Sequence, residues 1–121
     1  MRARLLFCLA VLTQVAVLYA PGTGATPAVS HLDKLVHAAV FAAVIWTGRR
    51  AGLPLPALVA IFAAHVVASE IVQHLLLDER GGDPADVLAD LVGVGLGATL
   101  PRTRLGHDGA ASGGTRGSMG T

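Results

Sequence analysis

Between residues 5 and 100 the chain is a series of apolar blocks, and a few ionisable side chains stand inside or at the edge of them. The stretch 70–97, EIVQHLLLDERGGDPADVLADLVGVGLG, is the clearest case: Glu70, His74, Asp86 and Asp90 lie in segments otherwise apolar enough to sit in lipid. A charge at membrane depth costs at least about 2.5 kcal/mol, so such residues face a bundle interior and mark functional positions. Composition agrees. Charged residues make up 14% of the 121, against roughly 25% in a soluble domain. The blocks therefore predict a helical membrane protein. With a net charge of +1 and arginines scattered singly or in pairs, the chain offers no footprint for nucleic acid. The single Cys8 has no internal disulfide partner and no CxxC context, and reads as a small apolar residue.

Taken in order, Arg2 and Arg4 form a basic head to an apolar run from Leu5 to Ala20. At about 16 residues this run is slightly short of the roughly 20 that span a bilayer. With Thr23, Gly24 and Ala25 behind it, the same pattern also fits a cleavable signal peptide. Ser30 opens a second helix, with Asp33 at capping-box spacing, and Trp46 suits its membrane interface. Residues 48–52 make a tight basic turn. Pro54 and Pro56 mark the start of a third helix running to about Leu77, and Asp83-Pro84 is an N-cap followed by proline at the first helical position of a fourth, ending at Pro101. Residues 102–121 are mostly Gly, Ser, Thr and Arg and are expected to be disordered. The expectation is an all-α, four-helix transmembrane bundle over residues 1–101, with a tail beyond it. Arg2, Arg4, Arg49, Arg50, Arg102, Arg104 and Arg116 fall on one side of four spans, and Lys34 and Arg80 on the other, so both termini are expected in the cytoplasm.

In that topology three ionisable groups from three helices, His37, Glu70 and Asp90, come to one depth, about 10 Å below the outer boundary at 1.5 Å per residue. They are expected to form one coupled network. Above them lies a layer of Asp33, Lys34, Gln73, His74, Arg80, Asp83 and Asp86. Residues three and four apart share a helix face. Asp33, His37 and Phe41 make one stripe, and Ser69 or Glu70, Gln73 and Leu77 another. Asp83, Asp86, Asp90, Gly93 and Gly97 form a single seam whose lower half is the GxxxG spacing of closely packed membrane helices. Plainer readings stand beside these. The aspartates 33, 83 and 86 can serve only as N-terminal acids, Lys34 and Arg80 can snorkel, His74 can be an interfacial residue, and His65 a packed neutral histidine. No HExxH or CxxC motif is present, and no ligand spacing supports a metal site or a cofactor.

The pattern Asp33-Lys34-x-x-His37 with Phe41, Glu70-x-x-Gln73, Arg80, and Asp86-x-x-x-Asp90-x-x-Gly93-x-x-x-Gly97 resembles the VanZ-like family of small integral membrane proteins. That family usually has an asparagine where this chain has Asp90. The resemblance implies a multi-pass membrane protein with a polar site at the outer leaflet, linked to glycopeptide antibiotic response or to cell-envelope lipids. Three classes of function follow. In one, Asp33, Lys34, Gln73, Arg80 and Asp86 bind an envelope lipid, a lipid-linked envelope precursor or another membrane protein, with Lys34 and Arg80 suited to phosphate. In another, Glu70, Asp90 and His37 are acid–base groups of an enzyme acting on an envelope lipid. A small proton-coupled carrier using the same acid–histidine cluster is a third.

Overall fold

The structure is a computed structural model; it describes residues 1–19, 27–76 and 84–101. It is all-helical, with four helices and no strand among the described residues: α1 (Arg2–Tyr19), α2 (Pro27–Arg50), α3 (Leu55–Leu76) and α4 (Pro84–Thr99). Arg80, Asp83 and the tail 102–121 lie outside the described residues. Two of the helices, α1 and α3, are long and apolar enough to cross a membrane.

The helix limits correct the sequence reading in two places. Helix α2 begins at Pro27, not Ser30, so positions 30 and 33 sit about one and two turns inside it and not at its start. Proline at the first helical position has no N–H to leave unsatisfied and a φ already set for a helix. The same helix runs through the expected basic turn to Arg50. It stops in a Schellman arrangement: Leu53 N–H donates to Gly48 O (3.1 Å) and Gly52 N–H to Arg49 O (3.2 Å). Gly52 takes the left-handed conformation this requires, at φ 88°. Pro54 follows, and its carbonyl accepts the first bond of α3 from Leu58 N–H.

Helix α2 is the hub. It packs most extensively against α4, then against α1 and α3, while α3 also packs against α4. Leu18, Phe41, Val44, Ile45, Leu58, Phe62, Val66 and Val94 form the apolar core. The pairings Lys34–Asp86, His37–Asp90 and Arg49–Leu100 run in the same chain direction, so α2 and α4 are parallel. Their close approach has a local cause. A Cβ on Gly93 would meet Ala38 O and Phe41 Cβ (2.9 Å), and one on Gly97 would meet Ala42 O (2.5 Å) and Ile45 Cβ (2.7 Å). The expected glycine seam therefore seats α4 on α2, where Ala38 and Ala42 leave room for the backbone.

At the far end of this pair, Arg49 Nη1 donates to Gly97 O (2.8 Å) and Leu100 O (2.9 Å), and Trp46 Nε1–H donates to Pro101 O (3.1 Å). These are carbonyls that the last turn of a helix leaves without partners, and a cation is favoured there by the helix dipole. Arg49→Ala is expected to cost about 1–2 kcal/mol, because charge-assisted bonds to α4 are lost. Thermal unfolding of the purified protein in detergent measures it. Arg49→Ala melting with the wild type would mean that these bonds contribute nothing net.

Candidate functional site at the head of the α2–α4 pair

Two interhelical bonds cross between α2 and α4 above the glycine seam. His37 Nδ1 lies 3.1 Å from Asp90 Oδ1, with both side chains buried (1% and 2% exposed). With Asp90 ionised, Nδ1 carries the hydrogen and donates it. One turn closer to the helix starts, Lys34 Nζ donates to Asp86 Oδ1 at 2.9 Å, and these side chains are partly exposed. Asp33, on the next turn of α2 from His37, brings its Oδ2 to 3.9 Å from His37 Nε2 and is 41% exposed. The imidazole thus stands between a buried carboxylate and a partly exposed one. Its Nε2 is buried without a hydrogen-bond partner.

Local geometry explains the alignment. Positions 33, 34 and 37 share one face of α2, and 86 and 90 one face of α4. Because the helices are parallel and in glycine-set contact one turn below, a residue on either ladder meets a counterpart at the same height. Asp86 is also in the first turn of α4, where an acid is favoured by the dipole. Among the described residues, Asp86 and His65 are further ionisable groups that act on Asp90, and Asp33 and Asp86 on His37.

Of the expected trio, His37 and Asp90 are in direct contact across the α2–α4 interface. Glu70 is half-buried on the face of α3 that, with His74, borders a groove beside α4. Depth follows from residue number alone and says nothing about rotation around the helix axis. The seam of α4 turns Asp86 and Asp90 to α2, whereas Val87 and Leu88 turn to α3. Gln73, expected in the layer above, makes an interhelical bond. It is buried, and its Nε2 donates to Leu18 O at 2.7 Å, tying α3 to α1. His65 is packed as expected, with the rings of Phe41, Phe62 and Tyr19 centred 6.2–6.4 Å from its own.

The sequence reading passed over Gln14. It is fully buried on α1, and neither of its side-chain polar atoms has a hydrogen-bond partner. As one of two polar residues in a 16-residue apolar run it stood out by type, but period alone did not show that it faced inward. Among the described residues no three His, Cys, Asp or Glu side chains are arranged to hold a metal ion.

These features define a helical protein with a buried acid–imidazole pair beneath a half-open ion pair. No family model matches the chain, and no curated protein or solved structure matches it.

Proposed function

We propose that this is a four-span membrane protein of VanZ-like type, with both termini cytoplasmic, whose outward polar face binds the head group of an envelope lipid or lipid-linked precursor. The observation that carries the reading is the pairing of charges between the two helices that composition or length keeps from reading as spans. α2 carries Asp33, Lys34 and His37, and α4, only 16 residues long, carries Asp86 and Asp90. Lys34 meets Asp86 and His37 meets Asp90. Paired in this way, ionisable residues are tolerated inside a membrane bundle, with their polarity turned away from lipid.

The distribution of the other side chains supports the same reading. Gln14, His37, Thr47, Ser69, Gln73 and Asp90 are buried, while Leu9, Leu12, Leu35, Ile61, Leu75, Leu88 and Leu96 are more than half exposed. Polar inside and apolar outside is the arrangement expected where the surroundings are hydrocarbon; a soluble monomer rarely exposes large contiguous apolar patches. Helix α1 contributes Leu18 and Gln14 to the interior and accepts the Gln73 bond, which supports a retained first span over a cleaved leader. Phe7 of α1 approaches Gly48 near the end of α2, so Arg2, Arg4, Arg49 and Arg50 gather at one end, as the positive-inside rule requires of a cytoplasmic face.

Binding is favoured over catalysis by accessibility. The buried dyad is closed to substrate, whereas Asp33, Lys34 and Asp86 are open enough to touch a ligand. The dyad then serves to hold the two helices in register beneath the binding face. The position of His37 between the Asp33 and Asp90 carboxylates supports one second reading, a proton relay in a small carrier. A link to glycopeptide response belongs to the same proposal through the family resemblance.

Two measurements test the reading. Reporter fusions after Thr121 and at Gly82 are expected on opposite sides, with the C-terminal one cytoplasmic; an external C-terminal signal would overturn the topology. Lipids co-purified with the wild type and identified by mass spectrometry are expected to include an enriched envelope lipid that is lost in Lys34→Ala. An unchanged lipid profile in that variant would remove the binding role of this face.

A further inference from the structure

The end of the bundle opposite the His37–Asp90 pair is cationic. Helix α1 starts there and α2 ends there: the ring of Phe7 comes within 3.0 Å of a Cβ built on Gly48. Arg4 is one turn before Phe7 and on the same face of α1, and Arg50 is two residues beyond Gly48, so Arg2, Arg4, Arg49 and Arg50 all fall within about two turns of that contact. The acids of the described residues, Asp33, Glu70, Asp86 and Asp90, all lie toward the other end of their helices. Among the described residues the arginine end therefore holds no carboxylate. The arginines divide by what they touch. Arg49 is committed to the carbonyls of Gly97 and Leu100. Arg50 holds its guanidinium 4.6 Å over the Trp46 ring, and Arg2 and Arg4 are exposed. A guanidinium stacked on a ring keeps its in-plane N–H donors for an acceptor such as phosphate. Beside them, α1 leaves Leu5 and Leu9 more than half exposed.

We propose that Arg4 and Arg50, with Arg2 beside them, bind the phosphate of an anionic membrane phospholipid whose acyl chains lie along the exposed leucines of α1. The proposal rests on the membrane placement above, and it concerns the opposite end of the molecule from the Lys34–Asp86 face. Charge selects the head group. A zwitterionic head group brings an ammonium with its phosphate, and no carboxylate among the described residues stands at this end to receive it. An anionic head group meets guanidinium alone. The apolar surface selects a lipid over a free phosphate. The leucines of α1 begin at the residue after Arg4, so a phosphate held there lays its own acyl chains directly on them. Trp46 sets the level. An indole belongs at the membrane–water interface, and the N–H of this one is bonded to Pro101 O, which fixes the ring that carries Arg50. Basic side chains at a cytoplasmic membrane face attract anionic lipid by the same electrostatics.

Trp46 is the one tryptophan of the chain, so its fluorescence reports on lipid at this site. The test reconstitutes the full chain in phosphatidylcholine vesicles. Part of the lipid is then replaced by phosphatidylglycerol, phosphatidylethanolamine or phosphatidylcholine with brominated acyl chains, which quench a neighbouring indole. Phosphatidylglycerol is expected to occupy the site about fivefold better than either of the others, the scale of one basic residue near a membrane surface. Added salt is expected to shrink that preference by screening. Arg4→Gln/Arg50→Gln is expected to bring the three lipids to equal quenching while leaving the helical content by circular dichroism unchanged. Equal quenching by the three lipids in the wild type would overturn the inference, as would a preference that survives the double variant. The salt series gives the same test without a substitution, since a preference undiminished at high salt removes the electrostatic site. Displacement of brominated phosphatidylglycerol by inorganic phosphate, beyond that by chloride at equal ionic strength, would assign the arginines to a soluble phosphate and overturn the lipid. Absence of quenching by any brominated lipid would instead overturn the membrane placement itself, so the two failures are distinguishable.

Discussion

Asp90→Ala is expected to destabilise the protein in detergent by about 3–5 kcal/mol, the usual penalty for removing one partner of a buried ionic pair. The loss is expected to exceed that of an ordinary buried hydrogen bond because His37 is only 1% exposed and its Nδ1 is left without its buried partner. His37→Ala has the same effect in reverse, leaving a buried carboxylate beside the partly exposed Asp86. The double variant is expected to cost less than the sum of the two singles, with a coupling of about 0.5–3 kcal/mol for residues in direct contact. Asp90→Asn separates charge from hydrogen bonding. An asparagine oxygen can still accept from His37 Nδ1–H, so the loss is expected to stay near 1 kcal/mol. Equilibrium unfolding of the four variants measures all of these quantities. Strict additivity, or an Asp90→Ala protein as stable as the wild type, would show that the pair does not hold α2 to α4.

A leucine at Gly93 or Gly97 is expected to separate α4 from α2 altogether. The atoms a new side chain would meet include the backbone carbonyls of Ala38 and Ala42, which cannot rotate aside as a side-chain tip can. Even Gly97→Ala places its Cβ 2.5 Å from Ala42 O and 2.7 Å from Ile45 Cβ, and overpacking of this kind costs about 1–3 kcal/mol. The larger leucine also opens the ladder above, because Lys34–Asp86 and His37–Asp90 depend on the same approach. Loss of the folded species by size exclusion or near-ultraviolet circular dichroism is the expected result. Gly95 supplies the control. Nothing lies within 4 Å of a Cβ built there, so Gly95→Ala is expected to gain up to about 1 kcal/mol from helix propensity alone. Equal sensitivity at 93, 95 and 97 would mean that glycine matters in α4 for a reason other than packing.

These effects rest on residues of unequal legibility in the sequence. The glycine seam and the stripe of Asp33, His37 and Phe41 were readable because spacing on one helix is a local property, fixed by 3.6 residues per turn. The Schellman end of α2 was visible only as a basic turn; the left-handed Gly52 and following Pro54 explain it in retrospect. The bond from Gln73 to the Leu18 carbonyl was not legible, because its spacing and polarity suit a ligand contact as well as they suit an interhelical bond.

The sequence by itself determined an all-helical chain, its four helices, and the faces on which its acids, histidines and glycines lie. Hydrophobic period and helix-breaking residues act within a few positions, so they need no knowledge of the rest of the molecule. The tertiary structure alone decided that α4 packs chiefly on the parallel α2 instead of on its chain neighbour α3. That choice depends on two surfaces at once: Gly93 and Gly97 fit where Ala38 and Ala42 expose backbone. It also decided the fate of the three depth-matched residues. Once α4 is fixed on α2, Asp90 points to His37, and Glu70 borders the groove on the opposite side of α4. Depth along a helix is set by residue number, but direction around it matters only when the neighbouring helix is in place.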